Sequence, residues 1–304
     1  MTLVAYHTQS KENYNFMARI LRPAASLNNF LDQTSVIWNE KGDIPIPNSQ
    51  ADLETKLFQR PESVATAYAQ AGILFESAAD YCMALIKTLT EPAQTIAPWG
   101  CARSVVETSV LATWLWDSKV NAHQRVQRSL AFRHEGLLQQ LKLAKVSKGL
   151  LDQEKAISRI KEAERVALEL GMARVSNIKG RKSIVLDLKM PTITDIVTQT
   201  FDKEQNYRML SAMIHGHSWA LRSLGFTMAL ENQEIFKGVK GAYLEKNLSL
   251  SSVGYLCIEA VTSLSSAILM KFRLFGWDAR PMAIMINRTQ KELGEFMKEH
   301  PTDE

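Results

Sequence analysis

Cysteine is scarce in this chain: three among 304 residues, Cys82, Cys101 and Cys257, an odd number set far apart in apolar helical patterns. That excludes a disulfide framework or a zinc knuckle as the basis of the fold. The phosphate-cradling glycine patterns, Gly-x-Gly-x-x-Gly and the Walker-type Gly-Lys-Ser/Thr, are absent, as is the Gly-x-Ser-x-Gly elbow. Nucleotide-fold and hydrolase-fold enzymes lose support accordingly. No Glu-x-x-His pair occurs, although a carboxylate-bridged metal centre in a helical bundle requires such pairs. The remaining carboxylate pair, Glu76 and Asp80, reads better as an acidic surface edge than as metal ligands. No metal site and no cofactor are expected.

Two further absences concern location. Met1 to His7 has neither the positive region nor the apolar run of a signal peptide. The longest apolar stretch, Val253 to Phe275, is interrupted by Glu259, Lys271 and Arg273, which predicts a buried helix rather than a membrane span. A cytoplasmic protein without a membrane partner is expected.

What is present is an ordinary globular composition, 46 % hydrophobic, enough for a sizeable core. A net charge of +4 permits an anionic partner, but both signs are mixed along the chain and no block of six like charges occurs. Nucleic acid is permitted, not demanded.

Nearly every segment carries a helical pattern. An N-terminal helical and loop region spans 1–60, its loose part ending in Gly42-Asp43-Ile44-Pro45-Ile46-Pro47-Asn48, where the prolines interrupt regular structure. A helix starts at Pro61 with Glu62 in its first turn and stops before Pro92, and Pro98 opens another that runs to Trp116. Asp117 or Ser118 caps the next, which runs to about Val146, and Gly149 breaks it. The polar stretch from Leu151 to Leu170, stopped by Gly171, predicts a solvated charged arm over about 150–180. The cluster Lys179-Gly180-Arg181-Lys182 and the run from Ile184 to Leu188 read as a loop with one short strand; its three charges are a solvated loop or a phosphate contact. Helices resume from Pro191, through a segment carrying Arg208 and His215, then from about Asn247 to Phe275 and from Arg280 to Lys298. The expectation is an all-α, multi-helix bundle over 61–276 with one protruding charged hairpin arm, a C-terminal helix and tail over 277–304, and no internal repeat.

The segment Tyr207-Arg208-Met209-Leu210-Ser211-Ala212-Met213-Ile214-His215 carries the chemistry. Seven residues are two helical turns, so on a continuous helix Arg208 and His215 lie about 20° apart, with Ser211, Trp219 and Arg222 beside them. A fixed cation and a titratable base on one face suit an anionic ligand; a surface pair that satisfies packing is the bland alternative. His217 falls in the opposite, apolar stripe and is expected in the core. On a helix the imidazoles of His215 and His217 point apart, which leaves no metal grip between them.

Upstream, Arg103 and Glu107 are the charged residues of the Pro98–Trp116 helix, four apart among alanines, valines and tryptophans. They are expected to pair inside the bundle, either as a structural bridge or as part of the Arg208/His215 pocket. Trp114, Trp116 and Trp219 are expected in the core, base stacking being the alternative.

The Arg-x(6)-His spacing on a late helix of an all-helical chain resembles the Arg-x(4-6)-His motif of the HEPN superfamily. The same motif, with the Arg103-x-x-x-Glu107 helix, is similar to an uncharacterised bacterial all-helical domain-of-unknown-function family over about residues 60 to 275. Met209 departs from the polar residue that often follows the arginine in HEPN nucleases, and the chain is longer than the usual HEPN domain. The resemblance implies a metal-independent ribonuclease or RNA-binding protein of a toxin, abortive-infection or other phage-defence system. Arg208 would stabilise the scissile phosphate, and His215 would exchange the 2′-hydroxyl or leaving-group proton; Arg103, Glu107, Ser211, Trp219 and Arg222 would bind substrate. RNA, a second copy of the chain, or an antitoxin-like protein are the partners it implies. The competing reading is a non-catalytic helical interaction module in which the same residues form a packing network.

Overall fold

The computed structural model describes residues 11–90, 93–178, 181–186, 189–236, 239–246 and 248–301. The chain is an all-α multi-helix bundle, as its patterning implies, with two β-hairpins added.

The centre is α4, Ala97–Trp116, held between α3, Pro61–Leu89, and α10, Leu250–Phe275. Each is built for that place. α3 buries Val64, Ala67, Ala71, Phe75, Ala78, Cys82, Leu85 and Leu89, a three- and four-residue rhythm that gives one apolar stripe. α4 buries residues all round, Val105, Val106, Val110, Leu111, Trp114, Leu115 and Trp116 among them. α10, long and apolar enough to cross a membrane by composition, instead has 67 % of its most apolar window inside the bundle.

From Lys11 the N-terminal region is helical rather than loose. Lys11–Lys41 is one long helix, α1, whose Ile20, Leu27, Phe30 and Leu31 join the central core and which packs on α11, Arg280–Glu299. Scattered polar residues obscured that stripe in the sequence. A short helix α2, Gln50–Leu57, capped by Ser49, follows the proline-rich loop.

The cap of α5, Ala122–Val146, is Asn121 rather than Asp117 or Ser118: Val120 N–H closes a turn on the Asp117 carbonyl, and Asn121 forms a reciprocal capping box with Gln124. The arm consists of α5 and α6, Leu150–Glu169, whose buried alanines Ala144, Ala156 and Ala163 allow close packing. It ends at Gly171, φ +69°, as the sequence implies.

Beyond the arm, β1, Ala173–Ile178, pairs antiparallel with β2, Arg181–Leu186, where one strand and a loop were expected. Lys179 and Gly180 lie outside the described residues. Two short helices, α7, Ile193–Phe201, and α8, Glu204–Ile214, then pack on α4. A three-residue turn α9, Ser218–Ala220, and a π-helical turn over Leu221–Gly225 lead into an unforeseen hairpin, β3, Phe226–Phe236, with β4, Val239–Lys246.

Candidate functional site

The polar site forms where α8 crosses α4. Arg103 and Glu107 are one turn apart on α4, and Arg103 Nη2 lies 2.9 Å from Glu107 Oε1. The expected pair exists, but at the edge of the bundle, with about a fifth to a quarter of each side chain exposed (21 % and 28 %). Tyr207, on the buried face of α8, donates its hydroxyl to Glu107 Oε1 at 2.7 Å and accepts from Arg103 Nη2 at 3.4 Å. The guanidinium also stands over the Tyr207 ring, 5.7 Å from its centroid. On the open side, Arg103 Nη1 is 3.4 Å from His215 Nε2. Arg103 Nε is buried without an acceptor, so the network is not saturated.

Two pKa shifts follow from this geometry. Burial alone would lower the Arg103 value, but the Tyr207 hydroxyl and the Glu107 carboxylate outweigh it and hold it above the ordinary arginine value. Burial, then the hydrogen bond to Glu107, pushes the Tyr207 phenol up, so it remains a donor at neutral pH. The site therefore holds a permanent cation, a protonated phenol and an exposed imidazole.

The helix carrying Arg208 does not continue through His217. His215 caps it, Gly216 takes φ +68°, and the backbone N–H groups of Gly216 and His217 bond back to the carbonyls of Met213 and Ala212. This reversal suits glycine, which has no side chain to clash in the left-handed region. Three expectations change with it. His217 leaves the apolar stripe and is exposed. Its ring stands 6.5 Å from that of His215 rather than on the far side of a helix. Trp219 is 56 % exposed on α9 and is not a core tryptophan, whereas Trp114 and Trp116 are buried. Arg222 is exposed on the π-helical turn.

Arg208 and His215 serve different groups. Arg208 is 67 % exposed, pairs with Glu204 at 2.7 Å, and lines a shallow depression with Gln205, Met209 and Trp219. The cation next to His215 is Arg103. Ser211 lies half-buried between them on α8. Among the described residues no group of three or more His, Cys, Asp or Glu side chains is placed to hold a metal ion.

A second feature was not anticipated. Lys271, in the middle of α10, has a side chain only 2 % exposed, with its Nζ 2.5 Å from Asp43 Oδ1 and 3.4 Å above the centre of the Trp38 ring. Trp116, Phe275 and Trp277 complete an aromatic cage. Burial pulls its pKa below the ordinary lysine value, and Asp43 offsets only part of that. This lysine lies against a cavity of about 990 Å³ whose walls include Trp38, Tyr68, Ile73, Glu76 and Asp80. The sequence signal was a lysine in a strongly apolar helix, one of three charges there that had counted only against a membrane span.

Two other buried ion pairs were also missed. Arg125, fully buried, is held by Glu54 and by the carbonyls of Leu115, Asp117 and Val120. Glu259 accepts from Lys203 and Asn206. Both have their hydrogen bonds filled, which marks them as packing elements.

No protein-family model, curated protein or solved structure matches this chain.

Proposed function

We propose that the chain is a cytoplasmic, HEPN-like RNA-binding protein that cleaves RNA without a metal, and that the chemistry takes place at Arg103 and His215. The observation that carries this reading is the 3.4 Å approach of Arg103 Nη1 to an exposed His215 Nε2. Two nitrogens of this kind, side by side at the surface, form a seat for a phosphate oxygen. His215 takes the proton from a ribose 2′-hydroxyl, and the oxygen attacks the adjacent phosphorus. Arg103 stabilises the charge that develops on the phosphoryl oxygens, and the 5′-oxygen leaves with a proton taken from water, giving a 2′,3′-cyclic phosphate. Glu107 and Tyr207 hold the guanidinium in place. Arg208 and Trp219, beside one another in the surface depression, contribute a phosphate contact and a stacking face to the flanking nucleotides.

The resemblance assigns the phosphate-stabilising role to Arg208. The geometry favours Arg103 for it, because Arg103 is the arginine within reach of His215. The test is incubation of the protein with single-stranded RNA in chelator at low salt, with the product ends analysed. Wild type should give cyclic phosphate ends. His215→Ala and Arg103→Ala should each slow cleavage by at least about 100-fold, the usual weight of a proton-transfer group or a charge-stabilising donor. Absence of both cleavage and binding in wild type would rule the reading out.

A second reading, a non-catalytic binding protein, draws support from the cavity at Lys271. A buried amine beside an aromatic-walled cavity of this size is a setting for a small ligand with an oxygen acceptor. Thermal-shift screening of small carboxylates and amides, with loss of any hit in Lys271→Met, tests it.

A further inference from the structure

The arm was expected to be a solvated, charged hairpin, and along most of its length it is. Its tip is different. Where α5 turns into α6, Leu143, Val146, Leu150 and Leu151 are exposed by 69, 82, 75 and 63 %. Four aliphatic side chains within nine residues are thus held in water at the end of a helix pair, beyond the alanines that knit the arm together. Isolated exposed aliphatics need no explanation, but a contiguous group of this kind marks an interaction surface. The turn itself is under local strain, since Lys148 holds φ +56°, an uncommon value for a residue with a side chain.

The charges around the tip indicate what it meets. Lys142, Lys145, Lys148 and Lys155 are all exposed and outnumber the two exposed carboxylates near the tip, Asp152 and Glu154, so the end of the arm carries a net positive charge. None forms an ion pair among the described residues. Residues 142–151 contain no aromatic side chain on which a base could stack, so the tip is poorly made for nucleic acid. Exposed aliphatic side chains interleaved with exposed lysines at the end of the arm match a surface that is apolar inside and negatively charged outside.

We propose that the tip of the arm docks on an anionic lipid bilayer, with Leu143, Val146, Leu150 and Leu151 entering the acyl boundary and Lys142, Lys145 and Lys148 meeting the lipid phosphates. The sequence argues against a membrane-spanning helix; this is peripheral binding, which needs none. It is independent of the RNA chemistry at α4 and α8.

The full chain tests this by co-sedimentation with vesicles of pure phosphatidylcholine and with vesicles carrying about a third phosphatidylglycerol, at low and high salt. Wild type should partition to the anionic vesicles at least about tenfold better than to the neutral ones and should be released by salt. Neutralising the three lysines, Lys142→Gln, Lys145→Gln and Lys148→Gln together, should weaken binding by roughly 100-fold, at about fivefold for each charge near such a surface. Val146→Ser, Leu150→Ser and Leu151→Ser together should abolish it while leaving the melting curve unchanged, since these side chains support no core. Equal or no partition to the two vesicle types at low salt, or binding by the triple-serine variant equal to wild type, overturns the proposal. So does sedimentation without lipid showing that wild type self-associates and that the triple-serine variant does not, which would make the tip a contact between copies of the chain.

Discussion

Removing Glu107 and removing Glu54 are predicted to differ sharply in cost, although each carboxylate pairs with an arginine and accepts from a tyrosine, Glu54 from Gln50 as well. Glu54 accepts from Arg125 Nε at 2.8 Å and from the Tyr68 hydroxyl at 2.7 Å, and the Arg125 side chain has no exposure at all. Glu54→Ala leaves that guanidinium hydrogen-bonded to main-chain carbonyls but without a counter-charge, a situation that costs about 3–5 kcal/mol. Glu107 is 28 % exposed and its arginine 21 %, so water partly replaces the lost carboxylate. Its loss removes one hydrogen bond, from Tyr207, of about 1 kcal/mol, and a screened ion pair worth up to about 1 kcal/mol. Glu107→Ala should therefore cost about 1–2 kcal/mol, well short of the figure that full burial of the pair would imply. Urea melts at neutral pH, with stabilities from linear extrapolation at a common slope, give both values. An equal or greater loss for Glu107→Ala would mean that the α4–α8 pair, not Arg125–Glu54, is the bundle's buried charge, and the structural ranking would fail.

Tyr207→Phe keeps the ring over Arg103 but removes the donor to Glu107; a loss near 1 kcal/mol in melts, with RNA cleavage reduced less than in His215→Ala, is expected. Lys271 gives a pH dependence. Its folded pKa is depressed by burial, so the unfolded chain binds more protons in the alkaline window just below the ordinary lysine value. The burial penalty is full below the folded pKa and is relieved as the pH rises toward about 10.4. Stability of wild type relative to Lys271→Met, followed by melts across that range, should thus increase with pH; a flat or falling difference contradicts the assignment. Gly276→Ala should cost about 1–2 kcal/mol, because Gly276 holds φ +73° and an added Cβ would stand 2.9 Å from Ser49 Cβ; an unchanged melting temperature would show that the turn relaxes freely.

Much of the bundle could be read from the residues because its signals are local. Pro61 with Glu62, Gly171, and the apolar rhythm of α3 and α10 each fix an element without reference to anything distant. The misses have a common cause in long-range contacts. α1 reads as loose until its Ile20, Leu27 and Phe30 are seen against α11, since the stripe is diluted by polar neighbours. Lys271 reads as an interruption until Asp43, far away in sequence, and Trp38 are brought to it. The β3–β4 hairpin lay in a stretch with weak alternation, where helix and strand patterns are hard to separate.

The candidate site shows how one local feature can redirect a functional argument. Projecting Arg208, His215 and His217 on an ideal helix assumes that the helix continues, yet Gly216 stands between the two histidines. The left-handed turn at that residue leaves His215 at the helix end, where Arg103 reaches it from α4, and releases His217 and Trp219 to the surface. A side chain with a Cβ at position 216 would be strained in this turn. The same glycine that makes the seven-residue spacing a poor guide to His217 therefore also sets the histidine beside its cation. Arg103, identified in the sequence through its pairing with Glu107, becomes the arginine on which the proposed chemistry depends.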